Sequence, residues 1–354
     1  MITDENGKNY WSMATVADAK TVGDTVSSDA CKRCHVNTGG KVFSPYGTLV
    51  KAFKYGTDFV AEPYEYTYDT GDGIMATATI AADVHAAAGK TCGGCHFIGD
   101  HKVRYGNHNV SWAHDIEDDD FDCGSCHAAA PHKNTDNQLS EQLDGHIDFL
   151  ACQTCHIRST GGLVRRDLRN PIEVYGDGHF YEFKDTVAYG VEPEFRWFDG
   201  TSGGWEGVFE GPCPIGPRGS KKDYRQGGDS KITAFKRYEA LLWFDLFVGQ
   251  PVPYILKDFF VDGDLVSAAN KGMDASGWFD KGAYDFEARR AMGMVIPFPM
   301  ICALKLDHGV QSGENALGYD LASCNSCHSK ETDFWKFLGY SKRELRALQK
   351  VRAQ

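Results

Sequence analysis

The chain has 354 residues, a formal net charge of −12, 39 glycines and 12 cysteines. That length allows one large domain or two small ones, and the acidic balance argues against nucleic acid as a partner. No apolar run reaches the roughly 20 residues that span a bilayer. The longest, Val295 to Leu304, is interrupted by Pro297 and Pro299.

In chain order, the first feature is Cys-x-x-Cys-His at Cys31, Cys34 and His35. The pattern returns at Cys92, Cys95 and His96, at Cys123, Cys126 and His127, and at Cys152, Cys155 and His156. A fifth copy stands far downstream at Cys324, Cys327 and His328. With 12 cysteines and 13 histidines in 354 residues, chance predicts roughly 0.015 copies. This is the attachment spacing of c-type haem: two thiols bond the haem vinyl groups, and the histidine is the proximal iron ligand. Structural zinc would need four ligands and no histidine after every pair. Thioredoxin-like chemistry would need a single motif at a helix start. The sequence therefore predicts five covalently attached haem c groups.

Five haems leave little chain per haem. The expected fold is mostly irregular coil with short α-helices and few strands, wrapped around haems that serve as the core. Three regions are expected: a haem-dense segment at 1–160, a haem-poor aromatic segment at 161–300, and a C-terminal segment at 301–354 with the fifth motif. Between the second and third motifs, Glu117, Asp118, Asp119, Asp120 and Asp122 form an acidic run. It reads as a solvated loop, with Ca²⁺ binding as the alternative. The middle segment carries Trp197, Trp205, Trp243, Phe259 and Phe260 among other aromatics. These are expected to cover haem edges or to meet another subunit. After the fifth motif, residues 331–338 look helical. Ser341 and Glu344 form a capping box ahead of an apolar stripe of Leu345, Leu348 and Val351.

Eight histidines remain after the five proximal ones. His132, His146 and His308 are the leading candidates for distal ligands, followed by His85, His108 and His114, with His101 and His179 behind them. Eight exceed the five needed, so every iron can be bis-histidine within one chain. His132, His146 and His308 are each expected to serve a haem other than the nearest in sequence. Cys213 and Cys302 are left over, and a disulfide between them suits an oxidising compartment; buried free thiols are the alternative. Haem attachment takes place outside the cytoplasm, so an extracellular or periplasmic location with a removed leader is expected.

Several segments resemble the octahaem tetrathionate reductase family of c-type cytochromes. They are Cys92–Phe97, Pro131–Lys133 through His146 to Ile157, Pro193–Gly200, and Cys324–His328 with Asp333, Phe334 and Leu338–Ser341. The resemblance implies that His132, His146 and His308 are distal ligands. The chain departs from the family in having five motifs instead of eight, and no lysine matches the family's distal lysine at the catalytic haem. It is also similar to filament-forming multihaem cytochromes in size and haem density. The expectation is thus electron transfer without catalysis. Expected partners are copies of itself in a head-to-tail homopolymer, and other redox proteins or extracellular acceptors. The alternatives are a periplasmic reductase of sulfur or nitrogen oxyanions, and a soluble shuttle.

Overall fold

The computed structural model describes residues 2–3, 9–10, 64–69, 75–80, 83–96, 98–99, 102–103, 123–133, 137–173, 181–200, 202–203, 216–217, 219–329 and 334–351. The first motif (Cys31, Cys34, His35), the acidic run, His101, His108, His114, His179, Trp205 and Cys213 lie outside them.

Coil with few strands is not what the haem-poor region forms. The strands of its main sheet are β1 (Thr160–Glu173), β2 (Tyr181–Val191), β3 (Glu194–Phe198), β4 (Lys231–Asp245), β5 (Gln250–Pro251) and β6 (Val295–Lys305). Together they make a six-stranded mixed sheet among the described residues. The physical reason is burial: a stretch with no haem to pack against must bury its own apolar side chains, and a sheet does so while pairing its backbone.

Strand β4 is the organiser. It runs antiparallel to β6 along its length, from Phe235 opposite Lys305 to Asp245 opposite Val295. On its other side it meets β3 antiparallel at Lys231–Ala234, β1 parallel at Glu239–Leu241, and β5 antiparallel at its end. Residues 232–236 are buried in succession. A strand covered on both faces has no reason to alternate apolar with polar. Pro297 and Pro299 fall on β6, which pairs only with β4 among the described strands. Proline removes a ladder donor and is tolerated on such an edge.

The helices are short. They are α1 (Val84–Ala87), α2 (Cys92–Cys95), α3 (Ser140–His146), α4 (Cys152–His156), α5 (Lys221–Arg225), α6 (Leu256–Phe260), α7 (Leu265–Ser276), α8 (Phe286–Ala291), α9 (Leu321–His328), α10 (Phe334–Phe337) and α11 (Lys342–Val351). None of the described helices is long and apolar enough to cross a membrane.

Two regions of core follow. Where β4 leaves the haem motifs, Leu242, Phe259, Met273, Phe286 and Val295 bury one another, with Trp243 and Phe260 packed against them. At the other end of β4, Ile232 packs with Trp197, Trp335 and Leu338 beside Cys327. Ala234 packs with Ile157 and Leu306. The aromatics expected to face another subunit are mostly spent here: Phe259 is fully buried and Trp197 is 8 % exposed. The chain folds across the expected regional boundary at 300, because β6 passes through it.

Candidate haem-binding sites

Thiols at i and i+3 and an imidazole at i+4 lie on one face of a helical turn. The structure builds the motifs this way. Cys92 and Cys95 bound α2, Cys152–His156 is α4, and Cys324–His328 closes α9. Cys123–Ser125 forms a tighter 3₁₀ turn, with the His127 amide donating to the Cys123 carbonyl at 2.9 Å.

Helix α4 is pinned to the start of β4. The Ala151 amide and the Thr154 hydroxyl both donate to the Ile232 carbonyl, at 2.9 and 2.7 Å. Ile157, fully buried, then fixes the chain behind His156. The Gln311 carbonyl accepts from His156 Nδ1 at 2.7 Å, which orients the ring and leaves Nε2 to face away. Burial holds His156 below the usual histidine pKa, with nearby histidines adding to this and the Gln311 carbonyl opposing it. Neutral imidazole is the ligating form. Helix α9 is capped by Asp320, which accepts from the Ser323 amide at 2.7 Å. The Trp335 indole donates to the Cys327 carbonyl at 2.6 Å.

Each described motif histidine faces one histidine from elsewhere in the chain. His96 faces His308, with ring centroids 6.0 Å apart. His127 faces His85 at 6.1 Å. His156 faces His132 at 6.1 Å, and His328 faces His146 at 5.9 Å. Ring planes meet at 59°, 70°, 4° and 36° in that order. A histidine–iron–histidine axis needs about 2 Å from metal to each nitrogen and about 1 Å more to each centroid, hence about 6 Å in all. The residues therefore fit a haem between each pair: the two cysteines would hold its edge, and the two imidazoles would face its iron.

The structure also brings motifs together. The Cys123 thiol is raised well above its usual pKa, first by a hydrogen bond with the Cys152 thiol, so the third motif lies beside the fourth. The Cys155 thiol is pushed up to about 12 by burial, with Cys327, Cys152 and Cys324 contributing. The fourth motif therefore lies beside the fifth.

Reading the sequence missed two carboxylates at these sites and one buried lysine on β4. Asp83, 2 % exposed, accepts from His85. Asp144 accepts from His132. Lys236 is fully buried on β4, two positions from Ala234, and burial lowers its ammonium to about 7. Asp83-Val84-His85 and Asp144-Gly145-His146 share an Asp-x-His spacing that could have drawn attention to the carboxylates. Lys236 gives no signal in a strand that also carries Lys231.

No protein-family model and no curated protein matches the sequence. Among solved structures, an octahaem cytochrome c from Shewanella oneidensis is similar, with a TM-score of 0.56 and 21 % identity over 90 % of this chain and 67 % of that one. The fold is that of a multihaem c-type cytochrome. This likeness corrects the expectation that the chain is not an enzyme. The chain shares the scaffold of that octahaem cytochrome c over most of its length, and the loss of haem motifs is no ground for excluding an enzyme. Absence of catalysis is not a property that this scaffold supports.

Proposed function

We propose that this protein carries electrons along five covalently bound c-type haems, each ligated by two histidines, as one subunit of an extracellular head-to-tail filament. The observation that carries this reading is the four histidine pairs at about 6 Å. Haem iron supplies reversible one-electron carriage. The protein's part is to saturate each iron from both sides, so that no bond forms or breaks when the charge changes. His35 and one of His101, His108, His114 or His179 complete the set in this reading.

Adjacency of the third, fourth and fifth motifs supports a continuous line of centres. A head-to-tail contact that does not close generates filaments. Export suits both the attachment chemistry and delivery to other redox proteins or extracellular acceptors. The test is spectroscopic and microscopic together. The haem-loaded protein should show five low-spin irons per chain, and native preparations should show filaments by negative stain. A stoichiometric high-spin signal defeats the first part, and a strictly monomeric sample defeats the second.

The shared octahaem scaffold favours a second reading, a reductase of sulfur or nitrogen oxyanions. Its open coordination site would belong to the Cys31–His35 motif, because the other four motif histidines each face a second histidine. Turnover of an oxyanion with a reduced dye, together with one high-spin iron, distinguishes it.

A further inference from the structure

We infer that Asp83 and Asp144 are positioning residues for the histidines opposite His127 and His156, and that they set the reduction potentials of the third and fourth haems. This rests on the reading of the histidine pairs as axial ligands. Asp83 Oδ1 accepts from His85 Nδ1 at 3.2 Å, and Asp144 Oδ1 accepts from His132 Nδ1 at 2.8 Å. In both cases the carboxylate takes the Nδ1 proton. Nε2 is then the nitrogen on the far side of the ring from the carboxylate, where it would meet iron, and the hydrogen bond restrains rotation of the ring.

A carboxylate behind a ligating histidine raises the basicity of the ring. More electron density at the iron favours the ferric state and lowers the potential. The neutral Gln311 carbonyl behind His156 does this less than a charged group.

Each carboxylate also reaches a second ligand-bearing segment. Asp83 Oδ2 accepts from the amides of Gly309 and Val310, at 2.8 and 2.7 Å, next to His308. Asp144 lies on α3, two residues before His146, and its Oδ1 also accepts from the His132 amide at 3.1 Å. One carboxylate thus ties His85 to the His308 loop, and the other ties His132 to the His146 helix. Neighbouring haems would have their distal ligands held by a shared anion.

The experiment uses the haem-loaded full chain and follows α-band absorbance in a potentiometric titration. Asp83→Asn and Asp144→Asn keep an acceptor for the backbone amides and remove the charge. Each is expected to leave the irons low-spin and to move about one fifth of the absorbance change, one haem in five, to higher potential. The double variant should move about two fifths. If an Asn variant loads haem poorly, the Ser variant, which also retains a backbone-amide acceptor, gives the same readout. Curves that overlay the unsubstituted protein overturn the inference, as does failure of both the Asn and Ser variants to load, which would make the carboxylates purely structural. The spectrum of the unsubstituted protein separates the two readings. If it lacks bis-histidine low-spin haem, the ligand pairing itself has failed. If it is low-spin and only the variants are silent, the tuning role alone has failed.

Discussion

His132 and His146 stand close in sequence to motifs they do not face. His132 follows His127 by five residues and faces His156, while His146 precedes Cys152 and faces His328. The surplus of histidines offered candidates for a second ring beside each motif, and the short spacing from His127 to His132 suggested crossed pairing. Which ring meets which was not legible, because His96 and His308, 212 positions apart, come together only through tertiary folding. Replacing His146 by Ala should therefore open one iron, that of Cys324–His328. The reduced variant is expected to bind one equivalent of carbon monoxide per chain, read by difference spectroscopy, and an unchanged spectrum would refute the pairing. Ring angles give a second check. With a haem between each pair, imidazoles at 4° would donate into the same iron orbital, and those at 70° into two different ones. Low-spin ferric EPR should accordingly resolve a rhombic signal for the His132–His156 site and a broad large-g signal for His85–His127. A single homogeneous low-spin species would contradict this geometry.

At the level of elements, local signals were read well and long-range ones poorly. The capping box predicted at Ser341 is present. The Ser341 amide donates to Glu344 Oε2 at 2.8 Å, the Glu344 amide donates back to the Ser341 hydroxyl at 3.3 Å, and α11 starts at Lys342. Helix α10 falls inside the predicted 331–338. Strand β4 was missed because burial on both faces erases the alternation by which strands are recognised. Glu344 makes the capping box testable. The Ser341 backbone amide, the Ser341 hydroxyl and Lys221 hold its carboxyl down to about 2, against an ordinary 4.5. A depressed carboxylate stabilises the fold above its unfolded pKa and loses that contribution as pH falls through the folded one. Docking of α11 onto α5 should thus hold at neutral pH and weaken between about 4.5 and about 2. Glu344→Gln should show the loosened state already at pH 7, by hydrogen exchange of 342–351. In the sheet lobe, Asp245 is fully buried and Arg289 Nε donates to it at 2.7 Å. Burial alone would raise this carboxyl, but Arg289 and the amides of Val248 and Phe247 hold it low. Arg289→Met leaves the buried charge unpaired and should cost about 3–5 kcal/mol in denaturant unfolding. Loss below about 1 kcal/mol would mean that water reaches Asp245.

For the molecule as a whole, the decisive matter is how the aromatic middle region is used. The sequence offered haem cover or subunit contact, and the structure assigns Trp197, Trp243 and Phe259 to the chain's own core. Trp197 supports the fifth motif through Trp335: its indole donates to the Leu338 carbonyl at 3.1 Å and it packs with Trp335, which in turn donates to Cys327. Those residues are therefore not available to join subunits. If copies of the chain assemble, the ends of the line of motifs are where a contact would extend it. Along that line Asp83 links the His308 and His85 segments, Cys123 meets Cys152, and Cys155 lies near Cys324 and Cys327. Among the described motifs, the second and the fifth stand at the ends of this line. If the protein is a conducting subunit, a contact between these ends repeats without closing. Native material should then sediment as polymers whose length grows with concentration, and Trp197→Ala should damage the fifth site and its visible spectrum before it affects polymerisation. A sample that sediments at every concentration as one 39.1 kDa chain plus haems would remove the filament and leave a monomeric redox protein, for which the reductase assay on the Cys31–His35 haem becomes the next experiment.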